Sequence, residues 1–243
     1  MKKIDINCDM GEGMQNEADF MPFISSCNIA CGGHAGNEKT MKSVIVLAKE
    51  RGKKIGAHPS YPDKENFGRI SMEISYHDLE NSILQQLASF AEIVKETGVI
   101  WHHIKPHGAL YNDLSTNETL AKDFLKIIAP YKHLKLYVAA NSTIAKMAKD
   151  KGFEVFEEAF MDRRYDNDLH LVSRKETNAV YTDFADVEQQ ILNIIQQEKV
   201  ETISGEQKPI KAQTFCLHSD TPNALEFALG VYESLLLKGY TIG

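Results

Sequence analysis

Short runs of apolar and β-branched residues alternate along this chain with longer amphipathic segments, and this alternation limits the possible folds more than any other feature. Strands that are separated by helices pair in parallel, because each helix carries the chain back along the sheet. Eight strands are predicted, at residues 3–8, 25–30, 53–58, 99–105, 135–139, 153–157, 179–182 and 213–218. Seven or eight such units favour a (β/α) barrel over an open sheet.

The amphipathic segments carry the signals that begin and end helices. Asn37 precedes an apolar-periodic run that ends at Gly52, and Ser75 and Gly98 bracket a longer run. A side-chain oxygen at a helix start accepts a free backbone N–H, and a glycine at the end takes up the left-handed conformation. These residues therefore predict two of the helices that connect the strands.

The composition limits the classes of function. A net charge of −7 over 243 residues argues against non-specific binding of nucleic acid, which needs a basic surface. The chain has no apolar run of about 18 residues, so no membrane span is expected. Its start turns acidic at Asp5 before any apolar stretch could act as a signal peptide, which predicts a cytoplasmic protein. No change of composition marks a boundary, and one domain spanning residues 1–243 is predicted.

Polar side chains recur on one face of four predicted strands. Side chains on a strand alternate between its two faces, so every second residue shares a face. The polar faces comprise Asp5, Asn7 and Asp9; Gly56, His58 and Ser60; His103, Lys105 and His107; and Thr214, Cys216, His218 and Asp220. Buried polar groups are costly unless they are paired or functional, and ligands bind at the carboxyl ends of parallel strands. The pattern therefore predicts one convergent active site.

The segment "NIACGGHAG", residues 28–36, gathers small and reactive residues at a predicted strand–helix turn. Glycines let a backbone approach a ligand closely, and amide groups at a helix start can bind an anion. A tight turn whose glycines only relieve crowding remains the alternative, and His34 favours a functional loop. The segment is no Walker A motif, because no Gly-Lys-Ser/Thr follows it.

Two further loops have the composition of binding sites. The loop at 58–69 ends with Arg69, and the loop at 160–174 contains Asp162 and Arg174. Arginine binds carboxylates and phosphates through paired donors, although a solvated surface with ion pairs would look the same. Several histidines and Asp9 could converge on a metal ion, but no HExxH-like signature supports this. Metal binding stays open.

The motifs together resemble the LamB/YcsF family. The matching segments are "DINCDMGE" (5–12), "NIACGGHAG" (28–36), "GAHPSYPD…FGR" (56–69), "IKPHGALYN" (104–112), "DRRYDNDLHLVSR" (162–174) and "CLHSD" (216–220). The resemblance implies a distorted barrel similar to that of polysaccharide deacetylases. It also implies ATP-dependent hydrolysis of the lactam of 5-oxo-L-proline to L-glutamate, in a complex with two further subunits, B and C.

Within that reaction the catalytic residues are predicted to be Asp9, His58, Lys105 and His107. Asp9 is the expected general base, with its pKa raised by burial, and Lys105 the expected stabiliser of negative charge. His58 or His107 would transfer protons. The residues predicted to bind substrate are Asn7, Asn28, His34, Arg69, Tyr111, Asn112, Asp162, Arg174 and His218. ATP, with Mg²⁺, is assigned to the partner subunits because this chain lacks a phosphate-binding motif.

Two other functions stay open at this point. One is a metal-dependent carbohydrate deacetylase, which the implied barrel would support but which rests on fold analogy. The other is a non-catalytic subunit that delivers substrate to its partners. The polar strand faces argue against the second.

Overall fold

The computed structural model describes residues 2–14, 16–221 and 223–243. Ten strands form within these residues. They are β1 (Lys3–Met10), β2 (Ser26–Ala30), β3 (Lys54–His58), β4 (Trp101–Ile104), β5 (Lys135–Ala139), β6 (Glu154–Phe160), β7 (Lys199–Glu201), β8 (Gln207–Pro209), β9 (Thr214–Cys216) and β10 (Thr241–Ile242).

Seven of the strands close into a parallel barrel. β1 to β6 follow one another in chain order, and β9 pairs with both β6 and β1 to complete the ring. β10 pairs in parallel with the start of β1, and β7 and β8 form a separate antiparallel pair. The predicted (β/α) barrel of seven to eight units is confirmed, with seven strands in the ring.

The strand predicted at residues 179–182 is wrong. This segment pairs instead with the loop that follows β6, through a bridge between Arg163 and Val180. The backbone N–H of Tyr181 donates to the carbonyl of Asp162, which lies in the same loop. Because β9 already fills the position between β6 and β1, the barrel has no free edge for this segment.

Eight α-helices lie among the described residues. They are α1 (Glu17–Phe20), α2 (Glu38–Glu50), α3 (Tyr76–Thr97), α4 (Gly108–Thr116), α5 (Glu118–Ile127), α6 (Thr143–Asp150), α7 (Phe184–Gln197) and α8 (Ala224–Leu237). The predicted caps are confirmed: Asn37 and Ser75 each accept a backbone N–H of the first turn, and Gly98 is left-handed at the end of α3. No helix in this part of the chain is long and apolar enough to cross a membrane.

The two faces of β1 show how the barrel separates apolar and polar groups. Ile4, Ile6, Cys8 and Met10 belong to the large apolar core, which also contains the buried faces of the helices. The intervening residues Asp5, Asn7 and Asp9 are buried as well. Their hydrogen-bond partners lie on β2, β6 and β9, so the interior of the barrel is polar while the apolar core surrounds it.

Candidate active site

Lys105 lies at the centre of the barrel interior, directly after β4, and is only 2% exposed. Its Nζ is 3.1 Å from Asp9 Oδ1 and 2.9 Å from Glu158 Oε1. It also donates to Asn7 Oδ1 at 3.0 Å. Burial alone would lower the pKa of Lys105, but the carboxylates of Asp9 and Glu158 outweigh burial and raise it. The ammonium group is therefore charged at all physiological pH values.

Two asparagines tie these charges together. Asn28 Nδ2 donates to Asp9 Oδ1 at 2.8 Å and to Asn7 Oδ1 at 2.7 Å. Asn7 Nδ2 donates to Glu158 Oε1 at 2.7 Å. We refer to Asn7, Asp9, Asn28, Lys105 and Glu158 as the lysine network. Every charged group in it has an oppositely charged partner, so the network holds its shape without a ligand.

The expectation that burial raises the pKa of Asp9 is wrong. Burial alone would raise it, but the charges of His58 and Lys105 and a hydrogen bond from His58 outweigh burial and lower the pKa well below its usual range. The distance from His58 Nε2 to Asp9 Oδ2 is 3.4 Å. Asp9 is thus an ionised carboxylate throughout the neutral range.

A second group of side chains lies at the carboxyl ends of β1 to β4, next to Asp9. We refer to Glu12, His34, His58 and His107 as the histidine cluster. Glu12 Oε1 is 2.9 Å from His34 Nε2, and His58 Nε2 is 3.0 Å from His107 Nδ1. The rings of His34 and His107 stack with their centroids 3.6 Å apart. The last residue of β3 and the segments that follow β1, β2 and β4 thus place one carboxylate and three imidazoles together.

A cavity of about 1030 Å³ opens over both groups of side chains, at the upper end of the range for small-molecule sites. Of the residues predicted from sequence, those that line it are Asp9, His58, Arg69, Lys105, His107, Tyr111, Asn112, Arg174 and His218. Asn7, Asn28, His34 and Asp162 are buried behind this lining and contact the residues that form it or their neighbours. Their predicted role in substrate binding stays a prediction.

Two of the predicted binding residues, Arg69 and Arg174, contact the same carboxylate at the rim of the cavity. Arg69 and Arg174 both bond to the carboxylate of Asp220, Arg174 Nη1 at 3.1 Å from Asp220 Oδ2. Deeper in, Asp162 accepts from the backbone and ring of His218, with Nδ1 at 3.0 Å from Oδ2. Tyr111 Oη donates to Glu158 Oε2 at 2.7 Å, and Asn112 is exposed beside it. The rim therefore offers guanidinium groups that are already held in place.

The glycine-rich turn of residues 28–36 supports the site from behind. A Cβ on Gly33 would overlap Gln86 Oε1 and Ser60 Oγ, so a larger residue at this position would require these two side chains to move. Gln86 Oε1 accepts the backbone N–H of Ser60, two residues beyond His58. This turn thus packs tightly against the β3 loop while it carries His34 to the histidine cluster.

A match to known proteins extends over nearly the whole chain: a sequence model of the LamB/YcsF family fits residues 4–243. The chain belongs to the LamB/YcsF family. A relative from Haemophilus influenzae (strain PittGG), named as the A subunit of 5-oxoprolinase, is 39% identical over 236 residues, which are 97% of this chain and 96% of the relative. The resemblance expected from the motifs is confirmed.

Solved structures agree with the LamB/YcsF fold. The lactam utilization protein from Thermus thermophilus superposes with a TM-score of 0.91 and 31% identity, covering 99% of this chain and 98% of that chain. The peptidoglycan deacetylase PdaC from Bacillus subtilis has a TM-score of 0.50 and 10% identity, covering 99% and 86%. The second likeness concerns the fold alone, and it confirms the predicted similarity to deacetylase barrels.

Sequence reasoning missed two acids of this LamB/YcsF site, Glu12 and Glu158. Glu12 lies in the loop after β1, where the two-residue period of a strand no longer predicts which way a side chain points. Its place inside the "DINCDMGE" motif was the signal that could have found it. The strand predicted at 153–157 ends one residue before Glu158, whereas β6 extends to Phe160. Continuing the period through Phe156 and Glu158 would have placed Glu158 on an interior face.

Proposed function

We propose that this chain is a subunit of an ATP-dependent 5-oxoprolinase, which hydrolyses the lactam of 5-oxo-L-proline to L-glutamate while ATP becomes ADP and phosphate. The observation that carries the proposal is the full-length match, at 39% identity, to a protein named as the A subunit of 5-oxoprolinase. That name also supports a complex of several chains. We assign the other members as subunits B and C, and we place the complex in the cytoplasm, where ATP is available.

A five-membered lactam is a stable amide, so its hydrolysis needs activation. Phosphorylation of the amide oxygen by ATP would make the carbonyl carbon electrophilic. The sequence of this chain has no Walker A motif. We therefore assign ATP, with its Mg²⁺, and the phosphorylation step to the partner subunits, and the hydrolysis to this chain.

The lysine network is suited to the hydrolysis of such an intermediate. One water adds to the carbonyl carbon of the phosphorylated lactam, the C–N bond breaks, and the nitrogen takes a proton and becomes the amine of glutamate. The resulting acyl phosphate reacts with a second water and releases phosphate. Asp9 would orient the first water and accept its proton, while Lys105 stabilises negative charge on the phosphate or the developing oxyanion.

The rest of the cavity supplies groups for holding the substrate. The carboxylate of 5-oxoproline would compete with Asp220 for Arg69 or Arg174, which already converge on one carboxylate. Tyr111, Asn112 and His218 line the same space. His58 Nε2 lies 3.4 Å from Asp9 Oδ2 and 3.0 Å from His107 Nδ1, so these rings can exchange a proton with Asp9 or bind a cation.

Glutamate release from 5-oxoproline and ATP tests this proposal. The assay compares this chain alone, subunits B and C alone, and the mixture. Lys105→Met serves as the active-site variant, and Lys122→Met, at an exposed lysine, is the matched control. We expect glutamate from the wild-type mixture and from the Lys122→Met mixture. We expect none from this chain alone, from subunits B and C alone, or from the Lys105→Met mixture.

Absence of glutamate from a mixture of folded subunits would overturn the proposal. So would full activity of the Lys105→Met mixture, because it would remove this chain from the chemistry.

A further inference from the structure

The histidine cluster has four side chains whose polar atoms crowd into one small volume. One ligand atom from each of Glu12, His34, His58 and His107 lies within 4.8 Å of all the others. Glu12 Oε1 is 3.3 Å from His107 Nδ1 and 3.8 Å from His58 Nε2, in addition to its short contact with His34. Three of the four residues are buried, and the side chain of Glu12 is 7% exposed.

Backbone carbonyls fix the protons of two of these rings. His58 Nδ1 is 2.7 Å from the carbonyl oxygen of Lys105, and His107 Nε2 is 3.0 Å from that of Phe67. A carbonyl oxygen only accepts, so each of these nitrogens carries a proton. In the neutral rings, His58 Nε2 and His107 Nδ1 are then bare, and their lone pairs face each other at 3.0 Å.

Two lone pairs at this distance repel unless a cation lies between them. A proton there would turn one of the two rings into a charged imidazolium, whereas a metal ion would bind both rings in their neutral form. Carbonyl oxygens that hold the far nitrogen of an imidazole are the usual outer partners of a metal-binding histidine. The cluster therefore has its rings oriented for a metal ion.

The charge of Glu12 leads to the same conclusion. In the described part of the chain, every ion-pair partner of Glu12 is a histidine. Lys105, which neutralises Asp9 and Glu158, has no contact with Glu12 among its ion pairs. A buried carboxylate without a cationic partner is costly, and a divalent cation would supply the missing charge.

The spacing of the ligand atoms fits a small ion with nitrogen and oxygen ligands. A tetrahedral ion with bonds of about 2.0–2.1 Å holds its ligand atoms about 3.3 Å apart. Four of the six separations, at 2.9, 3.0, 3.3 and 3.8 Å, bracket this value, and all six are within 4.8 Å. His34 Nδ1 is buried and has no hydrogen-bond partner in the described residues, so the polar contacts of this ring are all made by Nε2, towards Glu12.

We propose that Glu12, His58 and His107, with His34 as the fourth ligand, form a binding site for one divalent transition-metal ion of the Zn²⁺ class. Three imidazoles and one carboxylate favour such an ion over Mg²⁺ or Ca²⁺, which prefer oxygen ligands. A bound ion would face the cavity beside Asp9 and could polarise a carbonyl or a water there. A ring nitrogen that binds the ion cannot accept a proton, so proton transfer then falls to Asp9. The site does not depend on the proposed lactam chemistry.

Zinc binding to the tag-free chain, stripped with a chelator and then dialysed, tests the site directly. Isothermal titration with ZnCl₂ gives the stoichiometry and Kd without ATP, substrate or partner subunits. The variants are His58→Gln, His107→Gln and Glu12→Gln, and the control is His133→Gln at an exposed histidine outside the cluster. Circular dichroism verifies that each variant is folded, and the visible absorption of a Co²⁺ derivative reports four-coordinate geometry.

We expect one Zn²⁺ per chain with a Kd of about 1 µM or lower in the wild type and in His133→Gln. Loss of either cluster histidine should weaken binding more than about 100-fold and remove the Co²⁺ bands. Absence of stoichiometric binding would overturn the proposal. Equal binding by wild type and folded His58→Gln and His107→Gln would do the same, since the ion would then lie elsewhere.

Discussion

The lysine network and the histidine cluster lie side by side in one cavity, yet they satisfy their buried charges differently. In the lysine network, the ammonium group of Lys105 is shared by Asp9 and Glu158, and two asparagines bridge the acids. In the histidine cluster, the carboxylate of Glu12 has only imidazoles around it. In the first group each carboxylate has an ammonium partner in the free protein, and in the second the carboxylate has only imidazole partners.

This difference separates two tasks of an active site. A complete network keeps a charged lysine and an ionised aspartate at fixed positions, so no reorganisation is needed when charge develops on the substrate. An incomplete cluster is instead ready to bind, because a ligand that supplies the missing charge removes an existing cost. The strands carry most of the complete group, and the loops carry most of the incomplete one.

Lys105→Met breaks the complete group and has the largest expected effect. It leaves Glu158 buried without its ammonium partner and Asp9 with only His58, and breaking a buried pair in this way costs about 3–5 kcal/mol. We expect a fall of that size in the free energy of unfolding, measured by urea denaturation followed by circular dichroism. Lys122→Met should leave stability within about 0.5 kcal/mol of the wild type. A loss below about 1 kcal/mol in Lys105→Met would show that the network is not a unit.

Asp162→Asn tests a buried carboxylate that has no lysine partner but accepts hydrogen bonds from His218 and Thr221. Burial alone would raise the pKa of Asp162, but His218 and Arg163 outweigh burial and lower it. Its stabilising contribution is therefore present above the unfolded pKa of about 3.9 and lost as the pH falls through the lower folded value. We expect the variant to lose about 1.5–3 kcal/mol at neutral pH.

The pH dependence of this loss provides the sharper measurement. Urea denaturation at a series of pH values should show the difference between wild type and Asp162→Asn shrinking as the pH drops below about 4. The exposed Asp168→Asn is the control and should show almost no difference at any pH. A stability difference that stays constant into strong acid would mean that ionisation of Asp162 contributes nothing to the free energy of unfolding.

Glu12→Gln has the smallest expected effect on the metal-free protein, although Glu12 is as buried as Asp9. An amide at this position can accept from His34 Nε2 and donate to a bare nitrogen of His58 or His107. We expect the free energy of unfolding in chelator to change by less than about 1 kcal/mol, since the removed charge had no cationic partner. A loss like that of Lys105→Met would contradict the distinction between the two groups.

The lysine network and the histidine cluster also show which features of the site could be predicted from the sequence. Alternation along β1 predicted that Asp5, Asn7 and Asp9 share a buried face, and they do. The same alternation placed His58, Lys105 and His107 among the residues of one site, and all three line the cavity. Capping residues predicted the starts of α2 and α3 because capping depends on local contacts. Properties that depend on one chain segment and its nearest residues were therefore accessible.

Properties that depend on residues far away in the sequence could not be predicted in this way. The pKa of Asp9 is lowered by His58 and by Lys105, which is 96 residues away, so burial alone gave the wrong direction. Glu12 lies in a loop, and the position of its side chain depends on contacts with His34, His58 and His107, which come from three other parts of the chain. Residues 179–182 have the composition of a strand, but closure of the ring by β9 leaves them no edge.

The central claim is that this chain performs the hydrolysis after its partners have activated the lactam. ADP and glutamate, measured together in the complete mixture, test it most directly with Asp9→Asn in place of the wild-type chain. We expect glutamate release to fall at least about 100-fold, as for loss of a general base, while ADP formation falls far less because phosphorylation continues on the partners. If ADP and glutamate fell in parallel, or if glutamate release were unchanged, the account would be contradicted.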